Sequence, residues 1–313
     1  MPTLMGFWQP EEVTAALEVW DKIRRPDSVT SSPDCNTEFL DALGGPLLFL
    51  IPHQDDEILG CGGLIALLPD KSRLHFAFAT DGASFPQPLI PQQGPYDPGL
   101  SAIREQESRN ALGGLGVPQE NVRFLGYPDA GLRRSLPALR SDIVNLLHAV
   151  RPRVVFAPFR YDRHPDHLAL YEATAQALRE CAGGIRLCEY IVYFRWPLLG
   201  NVDIRSNMCP GQLVTVDITP VLSQKRSALD CFVSQFTRFY PWQERPGVLR
   251  SMVEEGYSST SEVFIMGQPS RPLFVRKRAL YWLAHLLQRY VEWPLTWQKK
   301  VWQTRFSYWR RPA

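Results

Sequence analysis

The apolar run Leu47-Leu48-Phe49-Leu50-Ile51 stops at Pro52 and passes at once into a polar knot, His53-Gln54-Asp55-Asp56-Glu57. That knot gives way to a small, apolar, glycine-rich stretch, residues 58–68. A short uninterrupted apolar run reads as a buried strand, and the stretch after the knot reads as the start of a tightly packed helix. Three carboxylates and an imidazole set between them are costly to desolvate without compensation, so they must face water or surround a cation. The same arrangement returns about a hundred residues later: Arg153-Val154-Val155-Phe156-Ala157-Pro158, then Arg163-His164-Pro165-Asp166-His167, then a helix-like run from Leu168 to Leu178. Placed in one parallel sheet, the two strands open both loops at the same carboxyl edge, where open α/β folds bind their ligands.

The rest of the chain alternates strand and helix, which fixes the class as α/β. A Rossmann-like, mostly parallel sheet flanked by helices is expected, with a metal site at its carboxyl edge. Further strands are predicted over 74–80, 122–125, 190–194 and 213–216, and helices over 101–115, 137–150 and 219–236. Residues 1–42 read as an N-terminal helix (10–25) and a Ser/Pro/Thr-rich linker (27–36), 43–269 as the catalytic domain and 270–313 as a tail. Residues 85–98, dense in Pro, Gln and Gly, read as a substrate-side loop rather than a minimal connection. His75 is expected to be structural and His148 to lie on the surface.

Composition narrows the setting. No apolar run approaches the roughly 20 residues a membrane-spanning helix needs. The first residues lack a basic segment and meet Glu11 and Glu12, unlike a secretory signal, and six cysteines are scattered without a CxxC pair. A cytoplasmic protein with reduced thiols is expected, and Cys61 is read as a small buried residue in preference to a soft ligand. The net charge of +2 hides an asymmetry: residues 270–313 hold ten Lys or Arg against Glu292 alone, together with five of the nine tryptophans. Such a tail fits an interfacial helix resting peripherally on an anionic membrane, at the inner face in a cytoplasmic protein, with packing on the body or nucleic-acid stacking as the alternatives. Nucleic acid is the weakest of the three, and oligomeric state is open.

The two polar knots resemble those of the PIG-L/LmbE-like de-N-acetylases, zinc enzymes that remove acetyl from N-acetylglucosamine-type sugars. The family pattern is an apolar strand, His-Pro-Asp-Asp-Glu, a Gly-rich helix start and, later, His-Pro-Asp-His. This chain has His-Gln-Asp-Asp-Glu at 53–57 and the second motif unaltered at 164–167. Thr80-Asp81-Gly82, residues 104–107, residues 124–132, Val216–Thr219, Lys225 and Ser234-Gln235 resemble its other blocks, over roughly 46–265. The departure, Gln54 for Pro, is expected to loosen the loop while removing no ligand.

The resemblance implies His53, Asp56 and His167 as ligands of Zn2+, with Fe2+ or Co2+ as substitutes, and Asp55 as general base. Chemistry agrees, because a catalytic zinc takes three N or O ligands and keeps one position for water. His164, three residues before His167, is a candidate to polarise the carbonyl or protonate the amine, kept charged by Asp166 or Asp162 with its pKa raised. Glu57 is read either as a helix cap or as a chemical group. Arg104 is read either as part of a solvated face or as a substrate contact, and Asp129 either as a turn former or as a partner for a sugar hydroxyl. The expected substrate is an N-acetylated amino sugar, tilted by the tail towards a glycolipid or envelope precursor. Rival readings are a Mg2+- or Mn2+-dependent phosphoesterase acting on a sugar phosphate and a non-catalytic sugar-binding or membrane-associated protein. A dinucleotide site at Gly60–Gly63 is disfavoured, since the spacing is not GxGxxG and the acidic knot would repel a pyrophosphate.

Overall fold

The computed structural model describes residues 33–86, 97–162, 164–181, 183–192, 195–196, 202–203, 213–243, 246, 254 and 256–266. The expected helix at 10–25, the tail at 270–313 and most of the loop at 85–98 lie outside these residues. A helix, α1 (Pro33–Ala42), leads into β1 (Leu47–Ile51), α2 (Asp56–Leu67), β2 (Leu74–Thr80), α3 (Leu100–Gly114), β3 (Val122–Tyr127), α4 (Leu136–Val150), β4 (Val154–Pro158) and α5 (Pro165–Glu180). Next come β5 (Arg186–Tyr190), a small pair β6 (Arg195–Trp196) and β7 (Val202–Asp203), β8 (Leu213–Asp217), α6 (Leu222–Leu229), α7 (Val233–Phe236) and β9 (Ser261–Met266). Seven strands form one sheet in the order β3-β2-β1-β4-β5-β9-β8. The first five are parallel, while β9 runs antiparallel to both β5 and β8, so the sheet is mixed.

Alternation along the strands sorts the core into two clusters. On one face Phe49, Phe76, Phe156 and Phe264 meet Ile58 and Leu64 of α2, Ala111 and Leu112 of α3 and Leu229 of α6. On the other, Leu48, Leu50, Ala77 and Val155 meet Leu139, Ile143 and Leu147 of α4 and Ala169, Leu170 and Ala173 of α5. Both faces are thus covered, as a parallel sheet requires. Phe76, Phe49 and Phe156 stack across three neighbouring strands with centroids 4.7 and 4.3 Å apart. Phe49, in the middle, has no exposed surface. Phe49→Ala is expected to cost about 3–5 kcal/mol, read from denaturant midpoints; a loss within 1 kcal/mol would mean the stack is not the packed centre of the sheet.

Several boundaries differ from expectation. The linker expected over 27–36 gives way at Pro33 to α1, whose Phe39 stacks on Phe264 at 5.7 Å. The strand expected at 190–194 lies four residues earlier, at Arg186–Tyr190. There Glu189 interrupts an otherwise apolar pattern and is buried only because it is paired with Arg160. The helix expected over 219–236 is broken: α6 ends at Leu229, Phe232 turns into the core, and α7 is a single turn.

Candidate metal centre

Strand β1 is followed in sequence by β2 on one side and paired with β4 on the other. The strand order therefore reverses between β1 and β4, which is where open α/β sheets form their ligand crevice. Leu47, Leu48 and Phe49 pair in register with Val154, Val155 and Phe156, so the two following loops emerge side by side. The first places His53 in a turn and Asp56 at the head of α2; the second places His164 as N-cap and His167 in the first turn of α5.

Asp56 Oδ2 is the meeting point. It lies 3.1 Å from His53 Nδ1 and 3.1 Å from His167 Nε2, and it accepts the His53 backbone N–H at 3.1 Å. The other His53 nitrogen, Nε2, faces Asp129 Oδ1 and Asp166 Oδ2, each at 3.3 Å. His167 Nδ1 faces Asp162 Oδ2 at 3.2 Å. The His164 ring stands 4.6 Å from that of His53 and 5.1 Å from that of His167, centroid to centroid. Two sets offer donor atoms within 4.8 Å of one another, His53/His164/His167 and His53/Asp129/Asp166. Asp56, Asp129, Asp162 and Asp166 are all buried.

Such a cluster draws positive charge to its centre. Burial alone would discharge both imidazoles, yet hydrogen bonds donated to Asp129, Asp166 and Asp56 carry His53 well above its ordinary 6.5. His167, against the same cost of burial, is raised to about 9 by Asp162 and Asp56. Burial likewise opposes the charges of Asp56 and Asp129, but the imidazoles hold both carboxyls well below the usual range. Four buried carboxylates around imidazole nitrogens suit a divalent cation that takes mixed N and O ligands, zinc among them, better than Mg2+, which prefers oxygen and water. The sets His53/His164/His167 and His53/Asp129/Asp166 both fit such a cation, and Asp56, in contact with His53 and His167, adjoins the first.

Asp55 has its carboxylate beside the Arg104 guanidinium, at 3.6 Å, and within range of the charges of Asp56, His53 and His167. Its backbone φ is 127°, strained for a residue with a Cβ, and such outliers persist only where the surroundings over-determine them. Here they do. Glu57 accepts the Asp55 backbone N–H at 2.9 Å, so Glu57 does serve the helix start as a cap. Gln54 does not loosen the loop: its side chain is fully buried and donates to Thr80 O at 2.9 Å, tying the turn to the end of β2. Burial lifts Asp55 to about 7 and Glu57 to about 8, with the Arg104 charge opposing the rise at Asp55.

Arg104 itself is 3% exposed and sits inside the loops. Its Nη1 donates to Gly82 O and Phe85 O at 3.0 and 3.2 Å, and its Nη2 to Gln54 O at 2.5 Å. Both Nη atoms are taken up by loop carbonyls, with Asp55 beside Nη2, so the solvated-face expectation does not describe Arg104. Arg104→Lys, which keeps the charge and loses the fork, is expected to lower kcat about tenfold with KM nearly unchanged. Steady-state kinetics in which KM rises and kcat holds would instead return Arg104 to substrate binding.

The partners expected for His164 are also corrected. Asp166 directs its carboxylate to His53 and to the N–H groups of Ala130 and Leu132, at 2.8 and 3.0 Å. Asp162 turns its carboxylate to His167 and to the His164 backbone N–H, at 2.8 Å. The His164 ring is left to accept from the Asp166 backbone N–H through Nδ1 at 3.3 Å. Its pKa falls to about 3 instead of rising, through burial first and then the charges of His53 and His167. Asp129, read as a turn former or sugar contact, stands beside His53 and accepts the Ser84 backbone N–H at 3.0 Å. Cys61 is buried in the apolar core, whereas His148 is exposed and His75 half-buried.

Reading the sequence marks Lys225 but misses the pairings that support the two loops. Arg160 and Glu189 form a buried ion pair beneath the second loop, joined also by the Arg160 backbone N–H to Glu189 at 2.9 Å. Lys225 and Glu262 pair at 2.7 Å behind the first. The available signal was a lone acid inside each apolar strand, Glu189 in β5 and Glu262 in β9, since such an acid is rarely buried unless paired.

Residues 48–178 match the PIG-L family, described as GlcNAc-PI de-N-acetylase. The chain is 33% identical over 139 residues to the uncharacterized deacetylase YaiS of Escherichia coli K12, a stretch covering 42% of this chain and 68% of that protein. It is 31% identical over 155 residues to a probable N-acetyl-α-D-glucosaminyl L-malate deacetylase 2 of Bacillus anthracis, covering 47% of this chain and 66% of that one. In fold it is similar to a crystal structure of a deacetylase of the teicoplanin biosynthesis pathway, at 19% identity and a TM-score of 0.52, over 72% of this chain and 100% of that one.

Proposed function

Because the chain belongs to the PIG-L family of de-N-acetylases, we propose that it hydrolyses the acetamide of an N-acetylglucosamine-type sugar at the centre formed by its two loops. The observation that carries this reading is the Asp56 carboxylate, whose Oδ2 is 3.1 Å from imidazoles on two loops more than a hundred residues apart, with Asp55 beside it. The substrate in the Bacillus anthracis relative's name supports the sugar class.

His53, Asp56 and His167 would hold a divalent cation, zinc in the first instance. When bound, that cation polarises an amide carbonyl and lowers the pKa of a neighbouring water from 15.7 to about 7. Asp55, held by Glu57 and Arg104, takes a proton from the attacking water and returns it to the amine as the C–N bond breaks. The products are acetate and the free amino sugar. His164 accepts a hydrogen bond at Nδ1, which leaves the proton of the neutral ring on Nε2, free to donate to the developing oxyanion. Asp166 fixes the Ala130–Leu132 turn and the far side of His53. Asp129, buried beside His53 in the same cluster, is proposed to meet a sugar hydroxyl.

The natural substrate is proposed to be a glycolipid or envelope precursor, reached at a membrane by the basic, tryptophan-rich residues 270–313. No helix among the described residues is long and apolar enough to cross a membrane. Co-sedimentation with anionic liposomes should depend on residues 270–313, and equal recovery without them would remove the membrane from the proposal. The activity is tested by incubating N-acetylglucosaminyl compounds, free or linked to malate, inositol or lipid, with and without a chelator. Chelator-sensitive release of acetate and free amine is expected. Phosphate release from a sugar phosphate, without amine from any acetylated compound, would favour a phosphoesterase.

A further inference from the structure

Inside an α-helix the backbone groups satisfy one another four residues apart. In α2 both halves of one such rung are also addressed by side chains from elsewhere. Lys225 Nζ donates to Leu59 O at 3.1 Å, and Glu262 accepts the N–H of Gly63 at 2.6 Å and that of Leu64 at 2.8 Å. Gly63 N–H is the ordinary partner of Leu59 C=O. The two side chains are themselves joined at 2.7 Å and are 2–3% exposed. The helix is also pressed against what lies behind it: a Cβ on Gly63 would stand 2.3 Å from Ile218 Cγ2, and one on Gly60 2.6 Å from Tyr190 Cδ2.

This rung lies one turn from the metal centre. Leu59, whose carbonyl Lys225 holds, donates its own N–H to Asp55 O at 3.0 Å, and Ile58 donates to the same oxygen at 3.1 Å. A path of two hydrogen bonds thus runs from the ion pair to the strained backbone of Asp55, next to Asp56. A buried ion pair is poor evidence for stability as such, because desolvation offsets its attraction. Its presence in contact with helix backbone calls for another role.

We propose that Lys225 and Glu262 are positioning residues of the metal centre, fixing the first turn of α2 and with it the directions of the Asp55 and Asp56 carboxylates. The inference rests on the metal-centre reading above. It is tested by cobalt(II) titration of the metal-stripped full chain, followed by the visible d–d spectrum, for the wild type, Glu262→Gln and Lys225→Met. Both variants are expected to bind cobalt about 10–100-fold more weakly, as loss of outer partners does. They should also show an altered band envelope, and a lower kcat at saturating metal with the sugar KM unchanged. Glu262→Asp, which keeps the charge but shortens the reach, should fall between, and it serves in the same way if Glu262→Gln does not fold. Wild-type cobalt affinity and spectrum in a variant with lowered thermal stability would reduce the pair to a structural one and overturn the inference alone. A wild type that binds no cobalt would overturn the metal centre and this inference together.

Discussion

Asp55→Ala is expected to keep its metal and to lose about 10²–10⁴ in turnover, the range a positioned proton-transfer group supplies. The separation of the two effects follows from the geometry. Asp56 sends its carboxylate to His53 and His167, while Asp55 sends its own to Arg104, so truncating Asp55 leaves every atom at the meeting point in place. Two effects on stability oppose one another: the variant no longer buries a carboxylate whose charged form burial opposes, but it leaves the buried Arg104 without its counter-charge. Metal content by elemental analysis and turnover at saturating substrate are the two readouts. A variant at the normal rate would remove Asp55 from the mechanism; one without metal would make Asp55 a ligand.

His167→Ala should do the reverse. The ring is completely buried between Asp56 and Asp162, and its removal leaves two buried carboxylates facing a void. Because even outer partners of a metal ligand are worth about 10–100-fold in affinity, loss of a ligand itself should exceed the upper end of that range. The purified variant is expected to contain no stoichiometric metal and to have no measurable turnover. Far-UV circular dichroism should remain that of the wild type, since α5 keeps its Pro165 start and its apolar face. Retention of full metal occupancy would exclude His167 from the ligand set.

Much of the fold and the outline of the site could be read from the chain alone. Parallel strands covered on both faces must be nearly uniformly apolar, so β1, β2 and β4 stand out as runs, and the acidic knots after β1 and β4 mark the carboxyl edge. The misreadings share a cause: local pattern cannot register a distant partner. Glu189 makes β5 look like the end of a loop until Arg160 neutralises it, and Gln54 looks like a relaxed substitute for proline until Thr80 accepts its amide. Arg104 has the spacing of a solvated helix face, yet the carbonyls of Gly82, Phe85 and Gln54 turn inward to meet it. His164 has acids as its neighbours in sequence, yet those carboxylates serve His53, His167 and the backbone. Residue types and spacing locate the chemistry; which atoms face which depends on contacts up to two hundred residues apart, such as Glu262 with Gly63.

The most direct test is anomalous X-ray scattering at the zinc edge from crystals of the zinc-loaded full chain. A single strong peak is expected within bonding distance, about 2.0–2.2 Å, of His53, Asp56 and His167, with a side open towards Asp55 and His164. A peak held by Asp129 and Asp166 and out of reach of His167, or no peak at the junction of the two loops, would contradict the account.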